Sequence, residues 1–96
     1  MKINISDSAF NDLQDMIDYY TAQGVADVGF NFANNILQQI QLLADHPDAG
    51  RIVPEFNQPH IRELIHTPFR VVYLREQNTI TVIRIWRSER LLVLPE

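Results

Sequence analysis

Phe69-Arg70-Val71-Val72-Tyr73-Leu74-Arg75, then Glu76-Gln77-Asn78, then Thr79-Ile80-Thr81-Val82-Ile83-Arg84-Ile85-Trp86-Arg87 is the stretch that decides the fold. It is rich in β-branched and aromatic residues with a period of two, which predicts two strands joined by a short hairpin loop. Alternate residues of a strand point to opposite faces. Phe69, Val71, Tyr73 and Arg75 therefore share one face, and Arg70, Val72 and Leu74 the other. With residues 76–78 as the loop, Val72 is expected opposite Val82, Leu74 opposite Ile80, Val71 opposite Ile83, Phe69 opposite Ile85, and Arg70 opposite Arg84. Facing like charges repel by roughly 0.2–1 kcal/mol. An anion is thus expected beside them, either Glu63 or Glu55 of this chain or a phosphate or carboxylate of a partner. Arginines with buried stems and solvated heads are the plainer alternative.

Working outward, Ile61–His66 repeats the strand pattern, after a Pro-containing connector over residues 51–60. Further upstream the period lengthens. Phe10, Leu13, Met16, Ile17 and Tyr20 recur at three- and four-residue spacing, the mark of one face of a helix. Ser6 or Asp7 can cap its start, and Gln23-Gly24 closes it. A second helix is expected over about residues 26–44, with Phe32, Ile36, Ile40 and Leu43 in one stripe widened by Phe30, Ala33 and Leu37. His46-Pro47-Asp48-Ala49-Gly50 ends it, because proline disfavours helix in the preceding residue. Ile3 and Ile5 alternate with polar neighbours as a short first strand. The predicted order β-α-α-β-β-β is a single α+β domain over residues 1–96, a helical hairpin packed on a mainly antiparallel sheet.

The composition narrows the chemistry. With no cysteine among 96 residues, a disulfide scaffold and a thiolate metal site are excluded. His46, His60 and His66 sit on separate segments without ligand spacing, so no metal site is expected. Met1-Lys2-Ile3-Asn4-Ile5-Ser6-Asp7 lacks the apolar run of a signal peptide, and no stretch approaches the roughly 20 apolar residues of a membrane span. A soluble cytoplasmic protein is expected. A net charge of −4 argues against a domain that coats nucleic acid. Its distribution is uneven: residues 1–60 carry Lys2 and Arg51 against eight acidic side chains, whereas residues 61–96 carry six arginines against four glutamates. Asp12, Asp15 and Asp18 read as the solvated face of the first helix. Trp86 is expected in the core, although beside Arg87 and Arg90 it can also anchor a partner. The tail Leu91-Leu92-Val93-Leu94-Pro95 is apolar and needs a cover.

Leu43, Pro47, Gly50-Arg51, Pro54-Glu55, Arg62-Glu63-Leu64 and Phe69-Arg70-Val71-Val72-Tyr73 together resemble the recurring positions of the RelE/ParE family of bacterial toxins. The resemblance extends over nearly the whole chain. Ile83-Arg84-Ile85-Trp86-Arg87-Ser88-Glu89-Arg90 is similar to the family's final strand, with Arg87 in place of a histidine, Glu89 in place of an arginine, and Arg90 matching the last arginine. What the resemblance implies is the toxin of a type II toxin-antitoxin module. ParE-like members inhibit DNA gyrase, and RelE-like members cut messenger RNA on the ribosome. Metal-independent cleavage would draw on Arg70, Arg84, Arg87 and Arg90, through positioning and electrostatics. The terminal segment, however, offers no histidine, lysine or tyrosine as proton donor, and Tyr73 lies on the other strand face. With the acidic charge and the long hairpin, this favours a gyrase inhibitor without catalytic activity or cofactor. RNA cleavage and a non-toxic, antitoxin-binding relative are the alternatives. Target contact is expected at Arg62, Arg70, Arg84, Trp86, Arg87 and Arg90. A cognate antitoxin would cover Phe30, Leu37, Leu91, Leu92 and Leu94, and would make the only contact with DNA.

Overall fold

The computed structural model describes residues 1–87. Strand β1 (Lys2–Ile5) leads into helices α1 (Asp7–Ala22) and α2 (Ala26–Leu42). Strands β2 (Arg51–Ile52), β3 (Ile61–His66), β4 (Phe69–Arg75) and β5 (Thr79–Arg87) follow. They form one sheet in the order β1-β5-β4-β3-β2, antiparallel throughout except that β1 runs parallel to β5. The α+β architecture and the boundaries of β3, β4 and β5 agree with the sequence reading. The two-residue strand β2 is absent from that reading, since a pair of residues inside a Pro-containing connector carries no periodic signal.

Local chemistry sets the helix ends. The Ser6 hydroxyl accepts from Ala9 N at 3.1 Å and donates to Ile83 O at 3.2 Å, so one side chain both caps α1 and ties it to β5. At the other end Gly24 takes φ +78°, while Val25 N donates to Tyr20 O and Gly24 N to Thr21 O. This is a Schellman closure, which needs a left-handed residue after the helix. Helix α2 ends at Leu42, short of the expected residue 44, because three-residue hydrogen bonds from Leu43, Ala44 and Asp45 tighten the chain before Pro47.

The main core lies between helices and sheet. Ala9, Leu13 and Met16 of α1 and Ala33, Ile36 and Ile40 of α2 meet Phe69, Val71, Tyr73, Ile80, Val82 and Ile85. Phe10 and Phe30 do not join it; they are 55% and 52% exposed. Each lies one residue, or about 100° of helix, past a buried small residue, Ala9 and Gly29, which carries the apolar stripe instead. On the opposite sheet face, Val53 and Val72 form a second cluster with Phe56, Ile61, Ile83 and Trp86. The β4 parity read from the sequence holds, with Val71 and Tyr73 in one cluster and Val72 in the other.

The expected β4–β5 register does not hold. Glu76 N donates to Thr79 O, so the loop contains two residues rather than three, and Arg75 pairs with Ile80. A bulge then follows: Tyr73 pairs with Val82 but Val72 with Arg84, leaving Ile83 as the extra residue. Both slips add. Arg70 therefore faces Trp86, and Arg84 faces Val72.

The connector after α2 is fastened by Tyr73, whose buried hydroxyl accepts from Gly50 N and donates to Pro47 O, both at 2.9 Å. A Cβ at Gly50 would stand 2.7 Å from the Tyr73 ring and from Glu63 O, so only glycine fits. Burial pushes the Tyr73 phenol above its ordinary range. Removing the hydroxyl in Tyr73→Phe strands a backbone donor and a carbonyl. A loss of about 1–3 kcal/mol in urea unfolding is expected, with unchanged slope.

Candidate functional site

The arginines of the sheet are where the sequence reading places function, and the structure gives each described one a local environment. At the centre of the outer sheet face Glu63 is fully buried. Its carboxylate accepts from Arg70 Nε at 2.6 Å and from Arg51 Nε at 2.7 Å. Arg70 then spends its two remaining nitrogens on Glu55, at 2.7 and 2.9 Å, in a fork-to-fork pair. The bonds to Glu55 and Glu63 hold the Arg70 guanidinium well above the usual arginine range. Arg70 in turn holds the Glu55 carboxyl below the usual carboxylate range. Both carboxylates that the sequence offered as counter-ions are therefore engaged, and both by the same arginine.

Arg84 is met from the helical side. β1 pairs with β5 only at residues 79–82, so past Val82 that edge of β5 carries no strand among the described residues. Asp12 of α1 fills the gap: it accepts from Ile85 N at 2.8 Å and from Arg84 Nε and Nη2 at 2.8 and 3.0 Å. Arg84 also lies 4.2 Å from the centroid of the Trp86 ring. The reading of Asp12 as part of a solvated face is thus corrected. A signal was present, since Asp12 stands three residues after Ala9 and four before Met16, both buried.

Arg62 donates to Gly50 O and Pro59 O at 3.0 Å, and Arg75 pairs with Asp48 at 2.9 Å. Arg87 sits at the described end of β5, its guanidinium 5.7 Å from the Phe69 ring and 6.0 Å from that of Tyr19. Beside it a cleft of about 490 Å³ opens between α1 and β5, lined among others by Asp15, Met16, Tyr19, Tyr20, Trp86 and Arg87. Trp86 is half-buried on the second cluster. Of the expected target contacts, Arg84, Trp86 and Arg87 lie at this end of β5, and Arg70 stands opposite Trp86 on β4 with its guanidinium turned to Glu55 and Glu63, whereas Arg62 is bonded to Gly50 and Pro59 beside β2. Of the expected antitoxin contacts, Phe30 is exposed and Leu37 half-buried against the core. Arg90, Leu91, Leu92 and Leu94 lie outside the described residues. Among the described residues no group of three acidic, histidine or cysteine side chains could hold a metal, and no helix is long and apolar enough to cross a membrane.

Breaking the buried network at Glu63 leaves the almost buried Arg70 with Glu55 as its one carboxylate and its Nε without a charged acceptor. Glu63→Gln should lower stability by about 3 kcal/mol or more in urea unfolding, whereas Arg51→Ala, which removes a mostly exposed partner, should cost less than about 1 kcal/mol. Glu55 has a depressed folded pKa, so its contribution is present above the unfolded carboxyl value and disappears as pH falls through the folded one. Stability of the wild type should therefore decline on acidification below about pH 4.5, and a Glu55→Gln variant should show a shallower decline there.

Comparison with known proteins agrees with the fold. The family described as ParE toxin of type II toxin-antitoxin system, parDE, matches residues 3–92. A solved structure described as the chromosomal ParDE TA system from P. aeruginosa superposes with a TM-score of 0.77 at 24% identity, covering 93% of this chain and 97% of its own. No curated protein sequence matches the chain.

Proposed function

Because the chain belongs to the ParE toxin family of type II toxin-antitoxin systems, we propose that it arrests growth by inhibiting DNA gyrase in the bacterial cytoplasm, and that a cognate antitoxin neutralises it. The observation that carries the choice of target is the state of the strand arginines. Cleavage of RNA needs cations aimed at the phosphate and a group that moves a proton. Arg70 is instead closed on Glu55 and Glu63, and Arg84 on Asp12. The Tyr73 hydroxyl is occupied by Gly50 and Pro47. What supports binding rather than catalysis is the end of β5, where Trp86 and Arg87 border an aromatic cleft. Flat aromatic and guanidinium groups of this kind anchor protein interfaces. For the antitoxin, the exposed Phe30 on α2 offers an apolar anchor that an amphipathic segment would cover, together with Leu37, Leu91, Leu92 and Leu94.

Purified protein should block supercoiling of relaxed plasmid by gyrase and leave messenger RNA intact on translating ribosomes. A pulse of labelled amino acid after induction should show protein synthesis continuing while DNA replication stops; an immediate collapse of synthesis would overturn the gyrase reading. Phe30→Asp should weaken antitoxin binding about tenfold or more by titration calorimetry, the scale of losing one buried aromatic anchor, while gyrase inhibition persists.

A further inference from the structure

We propose that Asp12 is a positioning residue for Trp86, acting through Arg84, so that helix α1 sets the aromatic surface at the end of β5. The inference rests on the target-contact role proposed above for that surface. Three observations meet at one carboxylate. Its Oδ2 accepts from the backbone of β5 at Ile85, where no strand among the described residues pairs with that edge. The same oxygen and Oδ1 receive Nε and Nη2 of Arg84, and a two-point grip of this kind fixes the guanidinium plane, not merely its charge. The guanidinium carbon lies over the Trp86 ring, 4.2 Å from its centroid.

Arg70, which faces Trp86 on β4, turns its guanidinium to Glu55 and Glu63 and not to the indole. The indole Nε1 is buried and has no acceptor among the described residues, so none of them sets the rotation of the ring by a hydrogen bond. Packing against the Val53–Val72 cluster supports it, and Arg84 stacks over it. Bonds of 2.8 to 3.0 Å tolerate little displacement before they weaken, so a shift of α1 against β5 would be felt at the indole. Trp86 and Asp12 also line the same cleft, which places the positioning group next to the surface it orients.

Trp86 is the chain's only tryptophan, so its fluorescence reports this arrangement directly. The experiment is a double-mutant cycle of Asp12→Asn and Trp86→Phe in the full chain, read as the concentration that half-inhibits gyrase supercoiling, with acrylamide quenching of Trp86 measured alongside. Asp12→Asn keeps one oxygen for Ile85 and loses the charged two-point grip. It should raise the half-inhibiting concentration about tenfold when Trp86 is present but less than about twofold in the Trp86→Phe background, and Trp86 quenching should increase. An equal loss in both backgrounds, or unchanged quenching, would overturn the proposal. If Asp12→Asn does not fold, Arg84→Lys removes the planar stack while leaving the Asp12–Ile85 bond, and the same pattern is expected of it. Should the wild type fail to inhibit gyrase, that target falls; quenching, and the same cycle read as growth arrest in cells, then decide the positioning role separately.

Discussion

A carboxylate without access to water has to be met by cations, and at Glu63 that requirement organises the outer half of the molecule. Arg70 reaches it from the neighbouring strand and Arg51 from the edge strand, so the ion pairs bind β4, β3 and β2 together. Arg70 is itself almost buried and has donors left over, which Glu55 accepts. Glu55 belongs to the connector between β2 and β3, and the connector's Val53 and Phe56 close over Val72 and Ile61. The second apolar cluster thus depends on a charge network. A lysine in place of Arg70 would supply the charge without the fork geometry that serves two carboxylates at once.

The helical layer is tied to the sheet by comparable means at its edge. Parallel pairing with β1 ends at Val82, and from there the hydroxyl of Ser6 and the carboxylate of Asp12 bond to β5 in place of a further strand. Covering an edge in this way keeps it from recruiting another chain's strand. It also makes α1 and the end of β5 one mechanical unit. Tyr73 does similar work in the interior, where its ring completes the main core and its hydroxyl holds the chain leaving α2.

These arrangements bear on how a toxin of this family meets its partners. Arg70 and Arg84 have their positive charge matched internally, and at the β5 end Arg87 stands beside the aromatic rings of Tyr19 and Phe69. Of the exposed apolar residues of the hairpin, Tyr19 lines the cleft at the β5 end, whereas Phe10 and Phe30 are not among its lining residues.

Much of the fold was legible in the chain, because periodicity is a local property. The three long strands, both helices, the Ser6 cap and the face assignment of β4 all follow from spacing and from turn chemistry within a few residues. Glu55 and Glu63 were named as counter-ions from an expected Arg70–Arg84 pairing that the register does not contain; the structure brings both carboxylates to Arg70 alone, and Arg84 to Asp12. The pairing partners were not legible. Whether residues 76–79 close as a two- or three-residue loop, and whether Ile83 bulges, depends on how the sheet twists against the helices, and each one-residue slip reassigns every facing pair. Asp12 shows the same division: its sequence position marks it as close to the buried stripe of α1, but only the approach of α1 to a strand more than seventy residues away makes it the partner of Arg84. Sequence alone determined the elements and their apolar faces, since these are set by neighbours along the chain. The tertiary structure decided which charges meet, since a side chain's counter-ion is chosen by distance in space, and that is fixed only when the layers pack.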